Sequence, residues 1–491
     1  MFFQRFYDTQ LAQASYLIGC QRTGEAVVVD ANRDIAQYLQ AAAKEGLRVS
    51  HVTETHIHAD FVSGSRELAN EAGAQLLLSD EGDADWKYAF ANEPNVQLVK
   101  DGDHFMVGNI RLDVLHTPGH TPEHVSFLVT DTPAAAGPWG ILTGDFVFVG
   151  DVGRPDLLER AAGYAGTMEQ GARTLFHSLE RFRALPDHLQ VWPGHGAGSA
   201  CGKALGAIPS TTVGYEKMSN WGVGTVDEGE FVRMVLEGQP EPPRYFAEMK
   251  RINKVGPRLL HGFPEVAKVS GASLQTLLEQ HALIVDTRAS DRFAAGHIPG
   301  TINVPLNGSF TTFAGTVLPY DQDVLLLVDD ACTDCAATAV RDLAMIGLDR
   351  VTGILGNDAL AAFTASGQPL QSVVQASAFE VSALLTTGSA TVIDVRGQSE
   401  WDAGHLPGVQ HIPLGQLQRR IGELQTGQPV VLQCQAGARS AIAASLLQAN
   451  GVPNVINLSG GFGAWQEGGH AIERAPAAQA TDALLREAQP V

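Results

Sequence analysis

The chain is short of cysteine and of positive charge, and it has no long apolar run. Its five cysteines (Cys20, Cys201, Cys332, Cys335, Cys434) are few and odd in number among 491 residues. They read as thiols rather than as the disulfide framework of a small secreted scaffold. Lys and Arg total 33 against 54 Asp and Glu, a net charge of −21. That excess excludes a nucleic-acid groove or an anionic membrane as a broad partner, since both need a basic face. An anionic substrate must then be met by local positive groups. No run of about eighteen apolar residues occurs, so no membrane span is expected. The opening stretch MFFQRFYDTQ lacks the basic start and clean apolar core of a signal peptide, which points to the cytoplasm.

What is present is a globular composition, 44% apolar and 18% charged, at a length that suggests about three domains. Residues 1–258 alternate short apolar runs with helix-like stretches. Strands are expected at Glu25–Asp30, Gln75–Ser79, Arg111–Leu115, Val125–Val129, Ile141–Val149 and Gln190–Pro193, and helices at Ile35–Glu45 and Ser63–Glu71. Interleaving of this kind indicates α/β layering. Ser219–Pro264 starts helical and then holds Pro240, Pro242, Pro243 and Pro257, a connector composition.

The remainder contains an internal repeat. Leu283–Arg288 (LIVDTR) matches Thr391–Arg396 (TVIDVR), and Ala295–Gly300 (AGHIPG) matches Ala403–Gly408 (AGHLPG) at the same offset. Two α/β modules follow, at 259–372 and 373–475, with a tail at 476–491 that reads as a loose helix or as disordered. In the second copy Val430–Gln433 leads into Cys434-Gln435-Ala436-Gly437-Ala438-Arg439, and then into a helical Ala441–Ala449. A buried strand, a short loop opened by Cys and a helix N-terminus make a cradle for a thiolate or persulfide anion. In the first copy the offset shortens around the helix, aligning Gly347 with Gly451 and setting Asp330 opposite Cys434. A carboxylate cannot form a persulfide, so that copy is expected to be silent. Its Cys332-x-x-Cys335 can also be read as a redox or metal pair.

The chemistry of the first 258 residues centres on Thr55-His56-Ile57-His58-Ala59-Asp60-Phe61. Further donors follow in His116-Thr117-Pro118-Gly119-His120, Thr143-Gly144-Asp145 and Trp192-Pro193-Gly194-His195. Each places a donor at a strand end beside a Gly or Pro turn, and His with Asp suits a first-row divalent ion. This set, in this order, resembles the metallo-β-lactamase superfamily, implying an αββα sandwich. In the dinuclear members of that superfamily the H-x-H-x-D cluster ends in a further His, and Phe61 stands there in this chain.

The narrower resemblance is to the persulfide dioxygenases of the superfamily, which use one Fe(II). It implies His56, His120 and Asp145 as ligands. His58, Asp60 and His195 are implied as supporting or additional donors, and hydrogen bonds that merely stabilise the loop are the other reading of His58 and Asp60. Arg154, in Gly150–Asp156, reads either as meeting a substrate carboxylate or as a fold-stabilising pair with an Asp. Cys201 reads either as a thiol near the substrate or as a small buried filler.

The repeat resembles the rhodanese sulfurtransferases, which implies Cys434 as nucleophile and Arg439 as shaping its loop. Together these imply a fusion of persulfide dioxygenase and rhodanese, acting on a small thiol persulfide, O2 and sulfite or thiosulfate in sulfide detoxification. The alternative is a zinc-dependent thioester hydrolase resembling glyoxalase II, with an appended sulfurtransferase. A homo-oligomer is expected.

Overall fold

The computed structural model describes residues 1–160, 166–239, 241–424 and 427–474; the tail at 476–491 lies outside the described residues. The chain falls into two compact units. One comprises Met1–Ala267 with Asn307–Gln322 and Asp334–Val351, and the other Lys268–Leu306, Asp323–Thr333 and the chain from Thr352 onward. Among the described residues no helix is long and apolar enough to cross a membrane.

The first unit holds two six-stranded sheets. One runs in the order β1 (Phe2–Asp8), β2 (Gln13–Cys20), β3 (Glu25–Val29), β4 (Arg48–Thr53), β5 (Gln75–Ser79) and β6 (Val96–Val99). The other contains β7 (His104–Val107), β8 (Ile110–His116), β9 (Val125–Asp131), β10 (Gly140–Gly144), β11 (Gln190–Pro193) and β12 (Thr211–Thr212), again in sequential order. Alternation along β3 explains the layering. Val27 and Val29 enter a core shared with Phe127, Val129 and Leu142 of the second sheet. Val28 enters another core with Tyr38 of α1 (Ala36–Lys44) and Leu68 of α2 (Ser65–Ala72). A strand covered on both faces reads as an unbroken apolar run, which is why β3 was legible. Outside the second sheet lie α3 (Met168–Arg183) and α4 (Glu228–Leu236), packed through Leu175, Phe182 and Phe231.

Three local expectations are revised. The strand expected over Ile141–Val149 stops at Gly144, where φ is +48° and the chain turns into the site. The loop carrying His56 leaves β4, whose sequence RVSHVT is too polar to register as an apolar run. The proline-bearing connector also contains a helix, α5 (Phe246–Val255), lying between Pro243 and Pro257, where proline interrupts neither end. The helix α6 (Phe310–Val317) and α7 (Cys335–Met345) also belong to the first unit.

In the second unit a four-stranded sheet has the order β14 (Ile302–Asn303), β13 (Leu283–Asp286), β15 (Val324–Leu327), β16 (Val351–Leu355), with β13 parallel to both its neighbours. A five-stranded one has the order β17 (Val374–Ala376), β21 (Val455–Leu458), β20 (Val430–Gln433), β18 (Thr391–Asp394), β19 (Gln410–His411). Asp286 pairs with Leu327 in the first and Asp394 with Gln433 in the second. By that register the residue corresponding to Cys434 is Val328 rather than Asp330. The loop from Val328 to Asp334 is three residues longer than the one from Cys434 to Gly437, and a single helix-based offset spreads that insertion over the strand. Asp330 bonds Lys268 Nζ (2.8 Å) and accepts the Asn357 N–H (2.6 Å). Cys20, Cys201 and Cys434 are free thiols as expected, but Cys332 and Cys335 are joined as a disulfide. Two intervening residues in a tight turn bring the sulfurs within bonding reach.

Candidate metal centre and sulfur-transfer loop

His56, His120 and Asp145 converge, with one donor atom from each lying within 4.8 Å of the others. Asp145 Oδ2 is 3.5 Å from His120 Nε2 and 3.9 Å from His56 Nε2. All three residues are at most 2% exposed. His56 Nε2 and both Asp145 oxygens are buried with no hydrogen-bond partner. Burying such atoms unpaired costs about 1–3 kcal/mol each, so the cluster is built for something that binds between them. Two imidazoles and one carboxylate fit a divalent first-row metal.

Hydrogen bonds on the far side of each ring set the donor nitrogen. His120 Nδ1–H donates to the Arg154 carbonyl at 3.1 Å, leaving the Nε2 lone pair facing the cluster. The Thr55 hydroxyl donates to Asp30, so its oxygen is free to accept from His56 Nδ1 at 3.0 Å. Burial pushes the His56 and His120 imidazoles below their ordinary range, which favours the neutral form a metal requires. Gly144 makes the close approach possible: with φ at +48°, a Cβ there would lie 2.4 Å from Thr55 Oγ1.

The other expected donors divide. Asp60, His195 and Cys201 form a second buried group, their donor atoms also within 4.8 Å of one another. His195 Nε2 is 3.2 Å from Asp60 and 3.4 Å from Asp145, and its Nδ1–H donates to the Ala12 carbonyl. Both Asp60 oxygens are buried without hydrogen bonds. Burial, with Asp60 and Asp145 nearby, pushes the Cys201 thiol well above its ordinary range. His58 turns its Nε2 to Asp30 at 3.1 Å. Burial lowers its pKa, but Asp30, Glu54 and Asp60 outweigh that and raise it to about 9. The Phe61 ring packs on His58 with centroids 4.5 Å apart.

Arg154 takes the fold-pairing role. It is fully buried, bonds Asp156 through Nε and Nη2 at 3.0 and 2.8 Å, and donates to the Ala200 carbonyl beside Cys201. A guanidinium so engaged has no open face for a substrate carboxylate.

Several positioning residues escaped sequence reading. His124 accepts the Asp145 N–H at Nε2 (3.2 Å) and pairs its Nδ1 with Thr117. The spacing of His116, His120 and His124 carried a signal for it. Asp30 holds His58 and Thr55 from a left-handed backbone, φ +55°. Asn253 binds the carbonyls of His58 and Phe61 from α5, and no local motif announces it.

In the second unit Cys434 is 1% exposed at the end of β20. The Gly437 N–H lies 3.1 Å from its sulfur and the Ser440 hydroxyl 3.4 Å. Arg439 stands in the first turn of the helix α8 (Ala438–Ala449) and forms a two-pronged pair with Glu400 at 2.6 and 2.7 Å. The sulfur therefore faces one backbone N–H and one hydroxyl at the N-terminal end of α8.

Comparison with known proteins agrees with the fold and with the order of the domains. A profile described as the metallo-beta-lactamase superfamily matches residues 8–195. A solved metallo-beta-lactamase of Staphylococcus aureus is 43% identical, with a TM-score of 0.64, covering 72% of this chain and 99% of that one. The chain belongs to the metallo-beta-lactamase superfamily. This metallo-beta-lactamase-fold chain continues into two rhodanese-like domains, matched at 270–355 and 377–468. The persulfide dioxygenase ETHE1 of Bos taurus is 30% identical over 198 residues, 39% of this chain and 67% of its own length. A hydroxyacylglutathione hydrolase of Rhodospirillum rubrum is 30% identical over 182 residues, 37% of this chain and 60% of its own. The chain thus spans about two thirds or less of the length of these curated relatives.

Proposed function

We propose that the first unit is a non-haem iron persulfide dioxygenase and that Cys434 performs rhodanese sulfur transfer, the two acting together in sulfide detoxification in the cytoplasm. A thiol persulfide with O2 and water gives the thiol, sulfite and two protons. At Cys434 a persulfide's outer sulfur passes to sulfite, breaking the S–S bond to release the Cys434 thiolate and thiosulfate. The transfer also runs in reverse. Joining the two steps on one chain raises the local concentration of a product that the other site accepts.

The observation that carries this reading is the His56–His120–Asp145 group, in a chain where Phe61 replaces a donor that a second metal would use. Fe(II) bound there would supply open positions for O2 and a sulfur anion. The chain's own residues do the rest. Thr55 and the Arg154 carbonyl hold the two imidazoles in the ligating tautomer, and burial excludes bulk water. The middle module, with Val328 at the nucleophile position, is silent.

The test is O2 uptake by iron-loaded protein on adding a low-molecular-weight thiol persulfide, with one sulfite formed per O2. No uptake would sink the dioxygenase. One observation favours a second reading, a zinc-dependent thioester hydrolase: the Asp60–His195–Cys201 group beside the first. Thioester turnover by zinc-loaded protein is what that reading requires.

A further inference from the structure

Behind the metal loop, within the first unit, lies a half-open cavity of about 210 Å³. Arg33, Arg251, Arg258 and Asp349 line it, with Ile252 and Tyr320 among its other walls. Three guanidiniums against one carboxylate leave a local charge of about +2 in a chain whose net charge is −21. The C-terminal end of α5 adds about half a negative charge, too little to cancel it. Glu248, paired with Arg251 at 2.9 Å and close enough to act on Tyr320, brings the excess down to about +1.

Arg33 is the fixed part of the cavity. It is 4% exposed, donates to the carbonyls of Ala344 (3.0 Å) and Arg258 (2.8 Å), and pairs with Asp349 at 2.9 Å. Its Nε and the Tyr320 hydroxyl are buried without hydrogen-bond partners. Burial pushes the Arg33 guanidinium below its ordinary range, Asp349 and then Glu67 oppose that, and the charge of Arg258 adds a smaller push. A rigidly held guanidinium with a buried, unpaired Nε, beside a second arginine that also lines the cavity, is an arrangement that an anion can bridge.

We propose that this cavity binds a compact tetrahedral oxyanion, of the sulfate, thiosulfate or phosphate type, with Arg33, Arg251 and Arg258 as its cationic walls. The cavity also has room for several of the ion's waters at about 30 Å³ each. Its walls continue into the pins of the metal loop. Asn253, next to Ile252, donates to the His58 carbonyl at 2.8 Å and the Phe61 carbonyl at 2.7 Å, and it accepts the Ser63 N–H. On the other side Asn32, next to Arg33, holds Gln13, which donates to the carbonyl of Asp30, the partner of His58. An anion seated here therefore stiffens the backbone that carries the metal donors. The inference is independent of the proposed reaction, because binding is read without turnover.

The experiment is calorimetric titration of the full chain carrying Cys434→Ala, so that thiosulfate cannot react there, with sulfate, thiosulfate and phosphate at constant ionic strength, alone and with Arg258→Glu, Arg251→Glu or Arg439→Ala added. Both charge reversals lie at exposed positions, which keeps the fold out of the readout. One saturable site per chain, weakened at least about tenfold by either reversal and unmoved by Arg439→Ala, is the expected result. Tighter thiosulfate identifies a sulfur oxyanion as the natural occupant, and tighter phosphate a phosphorylated metabolite. No saturable binding, or binding that responds to Arg439→Ala and not to Arg258→Glu, overturns the proposal.

Discussion

The two rhodanese-like modules share a skeleton and part company at one loop. In each, the Arg two residues beyond a buried Asp folds back on it: Arg288 on Asp286 and Arg396 on Asp394. Each Arg also donates to a glycine carbonyl, Gly296 and Gly404. In each, a His stacks on an aromatic ring four residues earlier, His297 on Phe293 at 3.7 Å and His405 on Trp401 at 3.6 Å. These features fix the chain as it leaves β13 and β18 and are shared by both copies. The loop after the central strand differs. In one module it is short and turns a cysteine sulfur towards a backbone N–H and a hydroxyl. In the other it is three residues longer, starts with Val328 and ends in a disulfide. A motif that reports the skeleton therefore reports nothing about activity.

The largest expected effect that sharpens this contrast is on transfer. Cys434→Ala is expected to lower sulfane sulfur transfer to sulfite by about 10³-fold or more, while Cys332→Ala with Cys335→Ala leaves it unchanged. Transfer retained in Cys434→Ala would mean the modules differ in name only.

Stability comes next. Arg396 is 1% exposed and Asp394 fully buried, so Asp394→Ala strands a buried cation and is expected to cost about 3–5 kcal/mol in denaturant unfolding. The Arg288 side chain is 9% exposed, so Asp286→Ala is expected to cost less. Equal losses would contradict the difference in burial.

A smaller effect belongs to Ser440. Removing its hydroxyl, 3.4 Å from the sulfur, is expected to slow transfer by about fivefold, the equivalent of about 1 kcal/mol. Ser440→Ala leaves unfolding midpoints near those of wild type.

The smallest is a pH effect on the Arg439–Glu400 pair. Burial raises the Glu400 pKa, but Arg439 and the Gly397 N–H outweigh it and hold the carboxyl below its ordinary value of 4.5. The unfolded chain therefore binds the proton first as pH falls. The stabilisation is complete above that ordinary value and disappears as pH drops through the depressed one. Glu400→Gln is expected to flatten this acid limb and to leave the slope between about pH 6 and 8 the same as in wild type. A slope persisting near neutrality in the wild type but absent in the variant would contradict it.

How far the sequence could be read depends on whether a feature is local. His56, His120, Asp145 and His195 each lie near a strand end beside a turn glycine or in the H-x-H-x-D cluster, so the pattern marks them as candidate donors, and the family resemblance then singles out the first three as ligands. The repeat was legible for the same reason. Asp30 was not, because its role rests on a left-handed backbone and on partners 25 and 28 positions away. Asn253 reaches the His58 loop across 195 positions. Arg154 carried two readings, and only the position of Asp156 against it decides between them. Val328 was hidden because a helix-based alignment passes over an insertion that strand register exposes.

The most direct test of the metal centre is metal content per chain on anaerobically purified protein, by elemental analysis. About one iron per chain is expected, lost in His120→Ala. Two zinc ions per chain, with thioester turnover and no O2 uptake, would contradict it and give the site to the hydrolase.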